Sequence, residues 1–567
     1  MPNNFFDEIH AEKYRAPGES FREAMCRVAS ALKDTDEHYH ALKDILISQR
    51  FLPAGRVQAA MGSPRRVTAY NCAVAPMIKD SFTDGQDSIM DVAAKAAKTM
   101  RMGCGYGYDF STLRPRGALI KSLGSRSSGP VAFMEIYDAV CRATMSAGHR
   151  RGAQMGVLRV DHPDIEEFVR AKQNTGRLTG FNVSVAVTDE FIRALSANNP
   201  FPLRWGTRDY GEIDPRALWE EIMRSAWDWG EPGVLFIDRI NEWNNLWYCE
   251  EIAATKPCSE QPLPPNGTCL LGSFNLTKYV KPRADQYVDS LHGGIIDFEL
   301  LHRDISAVIL AMDNVVDRTI YPLSEQEAEA KSKRRMGLGV TGLANALEAL
   351  GYSYGSPDFL RVEARVLEFI RDRCYTESAV IAAAKGPFPA FRRDDYLSGK
   401  FISTLPPAVR DLIAAHGTRN SHLLSIAPTG TISLCAGNVS SGIEPPFSLS
   451  TKRLVRGEDG FVEVSVTDYA AREWGVRGKT APECSLDDHL NVLAVAQRYV
   501  DSAVSKTVNV DPGTPWADFE GLYLKAWSMG CKGLSTFNSG GKRLGILSSE
   551  DDAACRIDPE TGTKTCE

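Results

Sequence analysis

The sequence lacks the features that mark secreted, membrane-spanning and zinc-binding proteins. Residues 1–8 show no basic segment followed by an apolar one, so we predict no signal peptide. No apolar run approaches the length of a membrane span. The 13 cysteines form no Cys-x-x-Cys pair and no His-Glu-x-x-His occurs, so no metal site is expected. Thiols without a secretion signal indicate a cytoplasmic protein, in which any disulfide is transient and catalytic.

An excess of positive charge is also missing. The 65 basic residues are outnumbered by 72 acidic ones, which gives a net charge of −7 at pH 7. This balance argues against a surface that coats nucleic acid. With 567 residues, of which 43% are hydrophobic and 24% charged, the chain has the composition of a large globular protein with an ample core.

The spacing of apolar residues predicts helices in several stretches. We expect a helical region over residues 1–50, amphipathic helices over 87–102 and 301–317, and helical structure through 216–245. The charge run at 331–335 is interpreted as a solvated helix end rather than as a nucleic-acid patch.

The most informative stretch is 256–269, which reads Lys-Pro-Cys-Ser-Glu-Gln-Pro-Leu-Pro-Pro-Asn-Gly-Thr-Cys. Residues i and i+2 of an extended segment point to the same side, and a proline favours an extended residue before it. We therefore predict that Cys258 and Glu260 face one cavity. The Pro-Pro-Asn-Gly turn then folds the chain back toward Cys269. A buried structural thiol is the common alternative for an isolated Cys-x-Glu.

This sequence, continued by Leu-Leu-Gly-Ser-Phe-Asn-Leu over 270–276, resembles the active-site finger loop of ribonucleotide reductase large subunits. It is most similar to the adenosylcobalamin-dependent class II enzymes. The resemblance implies that Cys258 becomes a thiyl radical and that Glu260 is the general acid/base near the ribose 3′-hydroxyl. It also implies that Cys269 and Cys72 reduce the substrate and leave as a disulfide, a partnership that spacing alone does not reveal.

The resemblance covers about residues 50 to 545 and implies an α/β fold. This fold is a ten-stranded α/β barrel of two half-barrels with the finger loop inside. We expect a helical N-terminal region at 1–50, the catalytic barrel at 51–547 and a flexible redox-active tail at 548–567. The first 50 residues are too few for this helical region plus an ATP cone, so the cone and its on/off regulation are expected to be absent.

Further segments match the family in sequence, and their residues also suggest a function on physical grounds. Pro-Thr-Gly-Thr after an apolar strand offers hydroxyls and helix N–H groups to a phosphate, although a bare helix cap would use the same residues. The resemblance assigns the substrate site to Asn71, Gly103, Ala427, Pro428, Thr429, Gly430, Thr431, Ile432 and Ser433.

A second ligand site is expected for a deoxynucleoside triphosphate effector. Small residues punctuated by arginines over 113–130 suit an anion, and a solvated loop is the alternative. A polar loop at 172–180 has the position needed to couple effector and substrate. The resemblance assigns the effector site to Asp80, Ser81, Arg126, Gln173, Asn174 and Arg177.

One residue departs from the family pattern. Lys256 stands where the family has an asparagine that helps to hold the substrate hydroxyls. A lysine donates hydrogen bonds but accepts none, and its charge would weaken Glu260 as a base. We expect an active enzyme in which Lys256 alters the substrate contacts. The alternative is a nucleotide-binding relative that has lost its chemistry.

The radical source is predicted from residues 533–543. This stretch matches the region that carries stacked tyrosines in class I large subunits, yet it contains no tyrosine. A radical relay from a metal-containing small subunit is therefore disfavoured, and adenosylcobalamin is the expected cofactor. A class I catalytic subunit that needs a separate small subunit stays as the alternative.

The resemblance also implies the partners. They are a ribonucleotide substrate, a deoxynucleoside triphosphate effector, and a thioredoxin- or glutaredoxin-like reductant that acts through Cys555 and Cys566 in the tail. A homodimer is expected because family effector sites lie at a dimer interface, whereas neither nucleic acid nor a membrane is expected. The choice between diphosphate and triphosphate substrates is open.

Overall fold

The computed structural model describes residues 2–144, 153–173, 176–282, 291–457, 460–542, 555–557 and 564–566. Asn174 of the predicted effector site lies outside the described residues. For the predicted tail, only the backbone of 555–557 and 564–566 is described.

Helices and strands alternate through most of the described chain. The α-helices are α1 Pro2–Tyr14, α2 Phe21–Leu32, α3 Asp36–Ile47, α4 Gly55–Ala60, α5 Ile89–Arg101, α6 Pro130–Ala143, α7 Ile165–Arg170, α8 Asp189–Ala197, α9 Pro215–Trp229, α10 Ile237–Glu242, α11 Phe298–Arg318, α12 Ser324–Lys333, α13 Leu343–Ala349, α14 Pro357–Lys385, α15 Arg393–Leu397, α16 Lys400–Ser403, α17 Pro407–His416, α18 Gly430–Cys435, α19 Tyr469–Trp474, α20 Leu486–Tyr499 and α21 Trp516–Ser528. Short 3₁₀ helices cover Leu276–Lys278 and Ala481–Glu483.

The strands are mostly short and buried. They are β1 Phe51–Pro53, β2 Cys72–Val74, β3 Gly105–Asp109, β4 Leu119–Ile120, β5 Ser125–Arg126, β6 Gln154–Arg159, β7 Phe181–Val187, β8 Phe201–Trp205, β9 Arg208–Ile213, β10 Gly233–Phe236, β11 Ala254–Thr255, β12 Pro262–Leu263, β13 Thr268–Cys269, β14 Leu271–Asn275, β15 Val280–Lys281, β16 Ile295–Ile296, β17 Gly337–Thr341, β18 Ser450–Gly457, β19 Gly460–Thr467, β20 Thr507–Val510, β21 Gly533–Asn538, β22 Cys555–Ile557 and β23 Lys564–Cys566.

The largest sheet has eight strands in the order β13-β2-β3-β6-β7-β10-β21-β20. Strands β2, β3, β6, β7 and β10 run parallel to one another. The sheet direction reverses at two places, because β13 pairs antiparallel with β2 and β21 pairs antiparallel with β10. The parallel connections require helical crossovers, which α5, α6, α7, α8 and α9 supply.

A second sheet continues from the end of the first. Its order is β1-β14-β17, with β14 parallel to β17, and β14 follows β13 after the single residue Leu270. Beyond β17, isolated parallel bridges join Leu338 to Leu424 and Ile426 to Val504. Strand β20 then pairs parallel with β21 of the large sheet. A second set of parallel segments therefore runs from β14 to β21.

The predicted helices with the clearest periodicity are present. Helix α2 begins after Ser20, whose side chain forms a capping box with Glu23. Helix α5 begins after Ser88, which caps it through the Asp91 N–H. Helix α11 spans the predicted segment at 301–317 and extends it by a few residues at the N-terminal end. Among the described helices, none combines the length and the apolar composition that crossing a bilayer requires.

Two predictions about local structure are wrong. The segment 216–245 is not helical throughout, because the fully buried strand β10 separates α9 from α10. The charge run at 331–335 is not solvated at its end: Arg334 and Arg335 are 4% and 2% exposed. Their guanidinium groups pair with carboxylates of α11 and of the segment before β11, at Asp313 and Glu250. Buried charge is tolerated where such partners exist, and sequence periodicity does not reveal them.

Candidate active site

The segment that carries Cys258 is a tight hairpin formed by β11 and β12. Its loop covers 256–261 and is closed by two hydrogen bonds. Thr255 Oγ1 donates to the Gln261 carbonyl oxygen at 3.0 Å, and the Ser259 N–H donates to the Lys256 carbonyl oxygen at 2.9 Å. Ser259 has a φ of 65°, a left-handed conformation that turns the chain. The predicted extended run from Cys258 to Glu260 is therefore wrong.

The hairpin lies between the two sets of parallel strands. On one side, Asn182 of β7 donates its Nδ2–H to the Pro257 carbonyl oxygen at 2.9 Å. On the other side, the Glu260 carbonyl oxygen accepts hydrogen bonds from the Ala503 N–H and from Ser425 Oγ, both at 3.0 Å. Gly107 of β3 is needed for this close approach, because a side chain there would clash with the Thr255 carbonyl oxygen.

The turn separates the two predicted catalytic groups. Cys258 is half-buried and lines a cavity of about 610 Å³. Among the described residues that line this cavity are Cys258 and Ser259, but neither Lys256 nor Glu260. Lys256 is 3% exposed and Glu260 is 0% exposed. The thiol thus reaches the cavity, and the carboxylate is buried within the hairpin.

Glu260 forms an ion pair with Lys256, four residues earlier. Neither carboxylate oxygen of Glu260 accepts a hydrogen bond from the described part of the chain. Burial is the largest single influence on the pKa of Lys256 and would lower it, but the negative charge of Glu260 and the smaller effects of nearby thiols together raise that pKa well above its usual value. The thiols of Cys269, Cys72 and Cys258 act in the same direction. One cation therefore interacts with Glu260 and with the thiols of Cys72, Cys258 and Cys269.

Cys72 and Cys269 are direct partners in the antiparallel pairing of β2 with β13. Cys269 is buried, Cys72 is half-buried, and the two side chains share a hydrogen bond. The pKa of Cys269 is raised well above the usual thiol range by burial first and by the Cys72 hydrogen bond second. A Cβ added to Gly105 would lie 3.0 Å from Cys72 Sγ and 3.3 Å from Pro257 Cγ. The cysteine pair and the hairpin thus converge over Gly105.

The predicted substrate segment contains a helix start, as expected. Helix α18 begins at Gly430 after Thr429, whose φ of 54° is left-handed. Thr429 Oγ1 is not a cap for this helix. It accepts the Gly442 N–H at 2.9 Å and contacts Thr341 Oγ1 at 2.9 Å. Pro428 lines the cavity, and a Cβ built on Gly430 would meet open space. The N-terminal turn of α18 is therefore accessible.

The other two predicted substrate residues lie near β2 and β3. Asn71 precedes β2, and its buried Oδ1 has no hydrogen-bond partner within the described ranges. Gly103 has a φ of 92°, and the guanidinium of Arg56 occupies the space where its side chain would be. The space beside Gly103 is thus filled by a protein side chain.

The predicted effector residues fall into two groups. Asp80 accepts a hydrogen bond from Arg114 Nε at 2.6 Å, and Arg114 also donates to the Leu119 carbonyl oxygen. Leu119 pairs with Arg126 in the β4–β5 ribbon, so Asp80 and Arg126 lie on one connected surface. Ser81 adjoins Asp80 and receives the Asp84 N–H.

The second group lies on the loop after α7. Arg177 pairs with Glu135 of α6 at 2.7 Å, and Gln173 is exposed. The same loop begins with Lys172, which pairs with Glu231 at 2.6 Å. Since Glu231 lines the cavity, this loop contacts a cavity residue directly.

Two buried lysines at the cavity were missed by sequence reasoning. Lys532 donates to the carbonyl oxygens of Asp501 and Ser502 at 2.6 and 2.7 Å, and burial lowers its pKa to about 7 despite the nearby Asp501 charge. Lys506 pairs with Glu444 and contacts His489 Nδ1. A lysine directly before a buried strand is the one available signal, and it does not distinguish a buried amine from a solvated one.

The fold is mixed α/β and brings three cysteines together beside a cavity, and comparison with known proteins specifies its family. Residues 71–537 match the family model described as "Ribonucleotide reductase, barrel domain". The chain therefore belongs to the ribonucleotide reductase barrel family.

Named relatives agree with this assignment. A "Vitamin B12-dependent ribonucleoside-diphosphate reductase" of Mycobacterium tuberculosis is 34% identical over 95% of this chain and 79% of the relative. A protein of the same name in Thermoplasma acidophilum is 30% identical over 94% of this chain and 69% of the relative. A "Vitamin B12-dependent ribonucleotide reductase" of Streptomyces clavuligerus is 27% identical over 92% of this chain and 62% of the relative.

Proposed function

We propose that the chain reduces ribonucleotides to 2′-deoxyribonucleotides by radical chemistry that starts at Cys258. The observation that carries the proposal is the convergence of three thiols. Cys72 and Cys269 face each other across β2 and β13, and Cys258 reaches the adjoining cavity from the hairpin. Names of the relatives favour a ribonucleoside diphosphate as the substrate.

Each group has a distinct role in this proposal. A thiyl radical at Cys258 takes the 3′-hydrogen of the ribose, and Glu260 accepts the 3′-hydroxyl proton. The 2′-hydroxyl leaves as water after protonation by a thiol. Cys72 and Cys269 together supply two electrons and become a disulfide, with one thiol hydrogen leaving in the water and the other going to C2′. Glu260 returns its proton to the 3′ oxygen, and Cys258 recovers its thiyl state when the 3′-hydrogen returns. A buried site protects these radicals from solvent.

We further propose that the two sets of parallel strands close into one ten-stranded barrel over 51–547, with the hairpin as its finger loop. Supporting this, β13 leads directly into β14 at one junction, and β10 pairs with β21 at the other. Residues 1–50 would form the helical N-terminal region and 548–567 the redox-active tail.

Ligand positions follow from the same proposal. The substrate phosphates would bind at the accessible turn from Ala427 to Ser433, whose free N–H groups suit an anion. Asn71, with its unpartnered Oδ1, and Gly103 would lie toward the nucleoside. The effector would bind near Asp80, Ser81 and Arg126, with the loop at 172–180 connecting it to the cavity through the Lys172–Glu231 ion pair.

Adenosylcobalamin is the cofactor that the relatives' names favour, and the cavity wall suits a bulky group. The wall of the cavity, which has a volume of about 610 Å³, includes the small residues Gly233, Ser184 and Ser535. We propose that these residues hold the cofactor, which when bound supplies the radical by cleavage of its cobalt–carbon bond.

The decisive experiment is nucleotide reduction by the purified chain with adenosylcobalamin, a deoxynucleotide effector and dithiothreitol. We expect turnover without a second protein. Activity that requires a metal-loaded small subunit would favour the class I alternative. Effector binding without turnover under both conditions would favour the nucleotide-binding relative that has lost its chemistry.

The tail is proposed to pass electrons from a thioredoxin- or glutaredoxin-like protein. In the backbone pairing of β22 with β23, Cys555 lies opposite Cys566. We expect Cys555→Ser and Cys566→Ser to stop thioredoxin-driven turnover and to spare one turnover of the pre-reduced enzyme. Full thioredoxin-driven activity in both variants would remove the tail from the proposal. Sedimentation with the effector tests the proposed homodimer.

A further inference from the structure

A second cavity lies between the N-terminal helices and the loop that follows α18. Its volume is about 330 Å³, which is at the small end of the range of ligand pockets. Its wall is built by α1 and the adjoining Arg15, by the facing ends of α2 and α3, by Lys278 of the first 3₁₀ helix, by the C-terminal end of α18 and by α19. No described residue of the proposed catalytic, substrate or effector sites lines it.

Positive charge exceeds negative charge on the wall of this second cavity. Three cations line it, Arg15, Lys278 and Arg472, together with two carboxylates, Asp7 and Glu473. Both carboxylates are already paired, because Arg15 forms an ion pair with Asp7 and Arg472 Nε lies 2.9 Å from Glu473 Oε1. Two of the cations are thus compensated by acids on the same wall.

His10 also lines the second cavity but adds no charge. Its Nδ1 accepts the Arg15 Nε–H at 2.9 Å, since a guanidinium only donates. The ring hydrogen is therefore on Nε2, which lies 2.8 Å from Gln58 Oε1. Burial lowers the pKa of His10 to about 4, in agreement with a neutral ring at pH 7. The wall thus carries a surplus of one positive charge.

Aromatic rings hold two of the cations in place. Lys278 forms no ion pair with a described carboxylate; its ammonium donates to the Tyr469 hydroxyl at 3.2 Å and lies 5.3 Å from the centroid of that ring. The Arg472 guanidinium carbon lies 5.7 Å from the same centroid and 5.2 Å from that of Phe6. Arg472 also donates to the Gly437 carbonyl oxygen at 2.8 Å. Charged groups that are ordered before a ligand arrives lower the entropic cost of binding it.

We propose that the second cavity binds a small organic phosphate whose remaining part is a flat apolar ring. A phosphate monoester carries nearly two negative charges and three acceptor oxygens at pH 7, so it can engage Lys278 and Arg472 together. The ring would pack against Phe6 and Phe21, which line the same cavity. Because Phe6 belongs to α1 and Arg472 to α19, the ligand would fasten the N-terminal helix to the rest of the chain.

The first test is isothermal titration calorimetry of the cofactor-free, full-length chain with phenyl phosphate. Inorganic phosphate offers the charge without the ring, benzyl alcohol the ring without the charge, and benzoate a single charge on the ring. We expect phenyl phosphate to bind about tenfold more tightly than any of the three. Absence of phenyl phosphate binding, or equal affinity for inorganic phosphate, would overturn the inference.

Hydrogen exchange followed by mass spectrometry locates the bound probe. Phenyl phosphate should slow exchange in peptides from α1 and from α19, which the ligand would hold together, and should leave α17 unchanged. Slower exchange confined to the turn at 427–433 would place the probe at the proposed substrate site and would contradict the inference. The experiment needs no turnover, so its result is independent of the proposed reaction.

Lys278→Met is the decisive variant. It removes the one cation without a carboxylate partner among the described lining residues, and we expect the affinity for phenyl phosphate to fall about tenfold or more, because a hydrogen bond to a charged group is lost. Lys281→Met is the matched control: Lys281 lies three residues away, is 48% exposed and pairs with Asp297, so its removal should leave the affinity unchanged.

A second substitution covers a folding defect in Lys278→Met. Lys278→Gln keeps a donor for the Tyr469 hydroxyl without the charge and should show the same loss of affinity. Unchanged affinity in the folded Lys278 variants would overturn the inference. An equal loss in Lys281→Met would do so too, because it would show a general effect of net charge rather than a site.

Discussion

Glu260 in the hairpin and Asp313 in α11 are both carboxylates with 0% exposure, yet their surroundings differ. Asp313 accepts three side-chain hydrogen bonds, from Arg334 at 2.8 Å, Asn420 at 2.9 Å and Arg419 at 3.0 Å. Glu260 has the single ion pair with Lys256 and accepts no hydrogen bond from the described residues.

This difference separates a structural charge from the one that we propose to react. The oxygens of Asp313 are occupied by donors that also join α11 to the end of α12 and to the segment after α17, so the charge stabilises the fold. The oxygens of Glu260 keep lone pairs that can take up a proton. A buried carboxylate with too few donors is costly, and such groups occur where chemistry needs them.

The largest effect is expected at Cys258 in the hairpin. We expect Cys258→Ser to abolish nucleotide reduction, since a hydroxyl does not replace the thiol as a radical site. Effector binding should persist, and the free energy of unfolding should change by less than about 1 kcal/mol because the side chain is half-buried and the substitution nearly isosteric. Turnover by the serine variant in the adenosylcobalamin assay would contradict the assignment.

The structural side of the comparison predicts the reverse pattern. Arg334→Met leaves the buried Asp313 without one of its cations, and loss of one partner from a buried pair costs about 3–5 kcal/mol. Urea unfolding should show this loss. Arg361→Met is the matched control, because Arg361 pairs with Asp358 at the surface and is 72% exposed, and it should change stability by less than about 1 kcal/mol.

Sequence periodicity predicted the helices α2, α5 and α11 because each buries one apolar stripe and begins at a capping residue or close to one. It failed at β10, where four consecutive buried residues lie between two helices and have no period of their own. A short apolar run of this kind can be assigned to a strand only when the neighbouring parallel strands are known.

The site was predictable in its residues and not in its geometry. The sequence over 256–269 singled out Cys258, Glu260 and Cys269. The loop turns at Ser259, however, whose backbone is left-handed although it is neither glycine nor asparagine, the residues that would have indicated the turn. The pairing of Cys72 with Cys269 joins residues 197 positions apart and depends on sheet register. The burial of Arg334 is likewise set by carboxylates distant in sequence.

Glu348 of α13 tests how a buried carboxylate with few hydrogen-bond donors affects stability. Its Oε1 accepts the backbone N–H groups of Lys479 and Tyr354, while its buried Oε2 has no hydrogen-bond partner in the described structure. Burial raises its pKa from 4.5 to about 7, against the smaller opposing effect of the backbone hydrogen bonds. Like Glu260 it has a buried oxygen without a donor, but it also lacks a cation in an ion pair among the described residues.

The folded state therefore binds a proton at Glu348 more tightly than the unfolded state does. The resulting stabilisation is fully present below pH 4.5 and is lost as the pH rises through about 7. Glu348→Gln stays neutral, so we expect it to remove about 2–3 kcal/mol of this pH-dependent loss and to leave nucleotide reduction unchanged. Urea unfolding of both proteins below and above this range measures the difference. Equal pH dependence in the two proteins would contradict the raised pKa of Glu348.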